Sequence, residues 1–309
     1  MTEIRAMQGV AGALWRWRTW GLLLLLLGGW QAAQAGDGAA TQAREQGLLW
    51  QITSPDSGKR SYLFGTIHSE DPRVTRLAPP VQAAFDRSSR YVMEIIPDQA
   101  SMQAASQAML LDQGESLQAL LGQPLYDKTV QALKQLGVPP EVTDRFKPWA
   151  AMVIMSMPRS KTGQVLDFVL YGAAIKAGKP QSGLETALEQ ISVFDSLPLD
   201  EQKVLLEDAV ALFPQMDSMM EQMHVAYLSR DLGKLVALSD QYNRQGNAEL
   251  ANKINAMLID QRNKRMAERM EAYLREGGAF VAVGALHLPG EQGLLQLLRK
   301  RGYVVTSVY

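Results

Sequence analysis

No cysteine occurs among the 309 residues, which excludes disulfides, zinc-thiolate sites, iron-sulfur clusters and thiol nucleophiles together. Any metal must therefore sit on histidine, aspartate or glutamate, and histidine is scarce: His68, His224 and His287 are the whole supply. Neither charge sign is in excess, with 31 basic and 32 acidic residues. Nothing in that balance marks a nucleic-acid or anionic-membrane binder, so no nucleic-acid partner is expected. Disorder is excluded too, because 47% hydrophobic and 20% charged residues is globular composition on a chain long enough for one large core or two modest ones.

Long hydrophobic runs are absent with one exception, at the start. Arg5, Arg16 and Arg18 precede the apolar stretch Trp20 to Trp30, with six consecutive leucines from Leu22 to Leu27, and Ala33-Gln34-Ala35 follows. This is the pattern of a basic region, a short apolar core and a small-residue cleavage site. Eleven apolar residues fall short of the roughly twenty that cross a bilayer. Residues 1–35 are thus expected to be a signal peptide cleaved after Ala35, and residues 36–46 a flexible leader. With no paired arginines and no cysteine for lipidation, the general secretory route to the periplasm or exterior fits. Cleavage leaves 28 basic and 31 acidic residues and no further segment apolar enough to span a membrane, so no membrane partner is expected for the mature chain.

Along the mature chain, Leu48–Thr53 and Ser61–Ile67 read as strands joined by the turn-forming Ser54-Pro55-Asp56-Ser57-Gly58-Lys59. Pro79-Pro80 opens a helix over 81–87, and a third strand is expected over Tyr91–Ile96, stopped by Pro97. From about 101 to 272 apolar residues recur at helical spacing, broken at Gly122-Gln123-Pro124, Val138-Pro139-Pro140, Gly178-Lys179-Pro180, Leu197-Pro198 and Gly246-Asn247, so six or more helices are expected. Strands return at Phe280–Ala285 and Tyr303–Val308 around a helix over 291–301. The fold class read from this order is α+β: two related β-α halves, 47–100 and 273–309, forming one core sheet in a single domain, with the helical section 101–272 inserted between them. The C-terminal piece is too small to stand alone and must pair with the N-terminal strands.

Two histidines occupy matched positions. Gly65-Thr66-Ile67-His68 ends the second strand and Gly284-Ala285-Leu286-His287 ends the first strand of the C-terminal half. Each glycine permits a bend or a close backbone approach, and each imidazole then projects where loops build sites. His224 lies in a helical run without glycine and reads as a helix-face residue. Glu94 falls within an otherwise apolar strand, where alternation puts it on a face with Val92 and Ile96, so it needs a cationic or metal partner if buried. Two histidines and a carboxylate are a common shell for a divalent Zn, Mn, Co or Fe ion that activates water. Met216, Met219, Met220 and Met223 at helical spacing read as core packing.

These motifs resemble the TraB/GumN family, grouped with the Tiki metalloproteases and the erythromycin esterase-like and ChaN-like proteins in a superfamily built around paired G-x-x-H motifs. The resemblance spans about Leu49 to Val308. It rests on Leu49-Trp50, Tyr62 to His68, Leu77 to Pro80, Glu94, Lys147-Pro148-Trp149, Gly163 with Asp167, Gly183-Leu184-Glu185-Thr186 with Gln190, Arg262 to Met266, and Val283 to Gly290. It implies an α+β fold of two related halves with a helical insertion. It also implies an active centre at His68, Glu94 and His287, joined by Arg262 with Asn263 and by Glu185. Relatives in the superfamily include metal-dependent proteases, esterase-type hydrolases and a haem-binding lipoprotein, so the fold alone does not decide the reaction.

Physical roles follow for these groups. His68, His287 and Glu94 would ligate the metal, and Glu94 or Glu185 would accept a proton from the attacking water. Arg262 is either a solvated helix residue or a fork for a substrate carboxylate or developing oxyanion. Glu185 is alternatively a helix N-terminal carboxylate. The functional expectation is a periplasmic metal-dependent hydrolase acting on a peptide or small acyl substrate. The alternatives are a haem- or metal-binding protein and a non-catalytic accessory of the envelope.

Overall fold

The computed structural model describes residues 45–158 and 161–309. The expected signal peptide and residues 36–44 of the leader lie outside the described residues. A six-stranded mixed sheet organises the chain: β1 (Leu49–Thr53), β2 (Arg60–Thr66), β3 (Arg90–Met93), β4 (Gln181–Gly183), β5 (Ala279–Gly284) and β6 (Val304–Ser307), in spatial order β4-β3-β5-β2-β1-β6. The C-terminal half does pair with the N-terminal one, and by intercalation: β5 runs parallel between β2 and β3, while β6 pairs antiparallel with β1 at the far edge. Every residue of β5 is buried, as a parallel central strand covered on both faces requires. Phe64, Phe85, Tyr91 and Phe280 pack as an aromatic cluster around it.

The helical section is not a detached insertion. The helices Leu166–Lys176, Met216–Leu228, Leu232–Asn243 and Arg262–Glu276 contribute to the core that covers the sheet, together with the C-terminal helix Leu294–Lys300. A second apolar core joins the helices Gln123–Gln135, Pro148–Met155, Ala187–Asp195 and Leu199–Leu212, with Trp149 stacked on Phe194 at 6.0 Å. The methionines at 216, 219, 220 and 223 are buried, as their spacing suggested.

Two boundaries differ from the sequence reading in ways that matter for function. The section 101–272 supplies a strand, the three-residue β4, which is too short and polar to show a period but pairs in parallel with β3. The third strand stops at Met93, so Glu94 lies just beyond the sheet rather than inside a strand. No helix among the described residues is long and apolar enough to cross a membrane.

Candidate active site

The strand directions assemble the site. β2, β5, β3 and β4 are mutually parallel, and their register places Thr66 beside Gly284, and Met93 beside both Ala282 and Gly183. His68, His287, Glu94 and Glu185 therefore leave four neighbouring strands at one carboxyl edge, the edge where open parallel sheets bind ligands. Helices that return the chain to parallel strands run antiparallel to them, so their first turns lie at that same edge. The helix Leu166–Lys176 leads into β4 and carries Asp167 in its first turn, and the helix Arg262–Glu276 leads into β5 and begins with Arg262 and Asn263. A π-helical turn, Ala256–Gln261, directly precedes Arg262 and resets the helical register there.

The two glycines of the motifs do different work. A side chain at Gly65 would lie 2.7 Å from a Leu288 methyl and 3.1 Å from the Ala285 Cα, so close approach of the two strand ends requires glycine. At Gly284 the same atom meets only ordinary contacts, the nearest 3.4 Å away, and the residue acts through its backbone, whose N–H donates to Glu94 Oε1 at 2.6 Å. Tyr227 donates to the Gly65 carbonyl at 2.8 Å and ties a covering helix to the His68 strand.

Arg262 is the hub. Its side chain is fully buried, which overturns the solvated-helix alternative. Its Nη2 donates to Glu94 Oε2 at 2.6 Å and its Nε to Glu185 Oε2 at 2.7 Å, while Nη1 reaches the Leu258 carbonyl at 3.1 Å and His287 Nε2 at 3.2 Å. Glu185 is buried as well, and its other oxygen accepts from Arg265 at 2.6 Å. It thus anchors two guanidinium groups and does not cap the helix Ala187–Asp195, whose N-cap is Thr186. Gln190 donates to Glu94 at 3.1 Å, and its own carbonyl oxygen is buried without a partner. Burial pushes the Glu94 carboxyl up, but Arg262, His287 and the Gly284 amide outweigh it and hold the group down at about 2.

The two imidazoles share one tautomer by different means. Asn263 donates its amide to the Gln292 carbonyl at 2.8 Å, which leaves Oδ1 facing His287 Nδ1 at 2.7 Å. The proton is therefore on Nδ1, and Nε2 carries the lone pair. Burial brings this histidine down to about 4, and the attraction of Glu94 does not restore it. His68 Nδ1 lies 2.7 Å from Asp167 Oδ2, so it donates and Nε2 carries the lone pair. Burial lowers this group, but the Asp167 charge and hydrogen bond and the Glu94 charge raise it above 6.5 overall.

In chemistry this donor set fits a divalent ion: two neutral-capable imidazoles presenting Nε2, each oriented by an outer hydrogen bond, and one carboxylate. In position the set is not drawn together: His68, His287 and Glu94 do not bring one ligand atom each within 4.8 Å of one another, and the Arg262 guanidinium touches both His287 Nε2 and Glu94, which lie 3.8 Å apart. Among the described residues, the cluster of His, Asp and Glu donors lying within 4.8 Å of one another is Asp71, Glu221 and His224. There Arg73 already supplies the cation, at 2.6 Å from each carboxylate. His224 lies on the helix Met216–Leu228 as the sequence suggested, with its Nδ1 3.6 Å from Glu221.

Asp167 was part of the family pattern but received no role from the sequence. The available signal was a carboxylate inside the apolar run Val165-Leu166-Asp167-Phe168-Val169-Leu170, the same kind of signal that singled out Glu94.

Fold and site together define an α+β protein with a buried, arginine-clamped glutamate and two strand-end histidines at the carboxyl edge of its sheet. The chain belongs to the TraB/PrgY/gumN family, whose model matches residues 48–307. It is 26% identical to the metalloprotease TIKI2 of Danio rerio, over 87% of this chain and 62% of that protein. It is 25% identical to the metalloprotease TIKI1 of Homo sapiens, over 94% of this chain and 69% of that protein. The uncharacterized protein YbaP of Escherichia coli (strain K12) is 25% identical over 80% of this chain and 90% of its own length. The chain thus spans about three fifths of the length of the Danio rerio metalloproteases it matches. No solved structure matches it.

Proposed function

We propose that this protein is a metal-dependent hydrolase of peptide or other acyl bonds that works in the periplasm after removal of residues 1–35. The observation that carries the reading is that His68, His287 and Glu94 follow three adjacent parallel strands at one edge of the sheet, with the Nδ1 of each imidazole engaged so that Nε2 is the nitrogen left for a ligand. The names of the similar metalloproteases support it. His68 and His287, with Glu94, would hold a Mn, Co, Zn or Fe ion, which when bound polarises an acyl carbonyl and lowers the pKa of water. Glu94 is ionised at neutral pH and would serve such an ion as its carboxylate ligand, since a group held down at about 2 is a weak base toward water. Glu185 holds Arg262 and Arg265, and Asn263 holds His287. The Arg262 Nη1 contact to His287 is the one free to be exchanged for an oxyanion.

The test is peptide-library hydrolysis by the mature protein, freed of metal by chelation and reloaded with each ion in turn. Activity is expected to vanish on chelation, to return with one ion, and to be lost in His68→Ala and His287→Ala. Activity indifferent to chelation, or no stoichiometric metal in the purified protein, overturns the reading. The Arg262 contacts to Glu94 and His287 favour a second reading, in which His68 backed by Asp167 draws the proton from water without a metal. That version keeps its activity through chelation and loses it only with His68→Ala.

A further inference from the structure

Asp167 sits in the first turn of its helix, where an acidic residue is ordinarily explained by the helix dipole. Its oxygens are spent elsewhere. Oδ1 accepts from the Thr66 hydroxyl at 2.7 Å and Oδ2 from His68 Nδ1 at 2.7 Å, and the N-cap residue, Val165, makes no side-chain cap. Both partners lie about a hundred residues away in the chain, and Thr66 and Asp167 are buried. The segment that carries Asp167 is fastened to the His68 loop independently. Leu166 N–H donates to the Ser69 carbonyl at 3.1 Å, and the Glu70 carboxylate collects the N–H groups of Lys161, Thr162 and Gly163. A carboxylate pinned at both oxygens cannot rotate, so the ring it grips has one orientation and one protonated nitrogen.

We propose that Asp167, braced by Thr66, is the positioning residue of His68: it keeps the proton on Nδ1 and directs Nε2 to the metal or water of the site. The proposal rests on the reading of His68 as a site residue, and its test separates the two.

Ring-nitrogen NMR on the full mature chain, at a pH where all three rings are neutral, reads the tautomer directly, with His68→Gln assigning the signals. Wild type is expected to show His68 protonated on Nδ1 alone. Asp167→Ala is expected to mix the two tautomers, Asp167→Asn and Thr66→Val less so. Affinity for Mn2+ and Zn2+ is expected to fall about 10- to 100-fold in Asp167→Ala, the usual loss when an outer partner of a ligating histidine is removed. If Asp167→Ala does not fold by near-ultraviolet circular dichroism, Asp167→Asn is read in its place. A folded variant in which His68 keeps its single tautomer overturns the proposal whatever the ions do. If the tautomer moves but wild type binds neither ion, positioning stands and the metal reading falls.

Discussion

His68 and His287 end paired parallel strands with the same four-residue motif, yet the protein gives them opposite environments. His68 is gripped by a carboxylate, keeps a side chain 15% exposed and is raised above its ordinary value, whereas His287 is held by a neutral amide, buried against a guanidinium and lowered to about 4. One ring is stabilised when charged and the other when neutral. The difference teaches that a repeated motif fixes where a side chain emerges, while the groups brought to it from elsewhere decide what it can do.

The largest blow to this asymmetry is expected from Arg262→Met. It strips buried Glu94 and Glu185 of their shared cation and should cost about 3–5 kcal/mol in chemical denaturation, because Glu94 is left without a cation while Glu185 keeps only Arg265. NMR titration of the same variant should show His287 rising, since Arg262 is one of the groups that lower it.

The pH dependence of the metal-free chain separates the two rings. His287 titrates lower in the fold than its ordinary 6.5, so its contribution is complete above 6.5 and is lost as pH falls toward about 4. His68 titrates higher, so its contribution is complete below 6.5 and is lost as pH rises through its raised value. Stability curves should therefore lose their fall between pH 6.5 and 4.5 in His287→Gln, a window above the range where Glu94 titrates, and their alkaline fall in His68→Gln. Equal slopes in both variants would refute the asymmetry.

A smaller effect tells the two glycines apart. Gly65→Ala should cost about 1–3 kcal/mol from the forced contacts with Leu288 and Ala285. Gly284→Ala should cost less than Gly65→Ala, since its backbone amide is kept and the nearest atoms stand at ordinary contact distance. Smallest of all is expected to be Glu221→Gln beside His224. That side chain is 52% exposed, and exposed ion pairs contribute about 1 kcal/mol at most by thermal or denaturant unfolding.

Much of the fold was legible because its signals are local. The apolar run of β5, the turn before β2 and the paired prolines at 79 and 80 mark their elements without help from distant residues. β4 was illegible because three residues carry no period, and only its pairing with β3 makes it a strand. The site divided in the same way. His68 and His287 stood out as histidines at the ends of apolar strands, and Glu94 as a carboxylate within one. Arg262 lay in a charged run that reads equally well as a solvated face, and burial decided between the two. Asp167 and Gln190 matched the family pattern, but their partners are 99 and 96 residues away and no spacing announces them.

The sequence by itself determined which side chains stand at the edge of the sheet, because a glycine, an apolar strand and a following histidine are neighbours along the chain. It also excluded thiol chemistry outright. Only the tertiary structure decided their charge and direction. The groups that set them, Arg262 for Glu94, the Gly284 amide for the same carboxylate and Asp167 for His68, come from 168, 190 and 99 residues away. Electrostatic interactions in a buried site depend on distance through space, and that distance exists only once the parallel strands have closed.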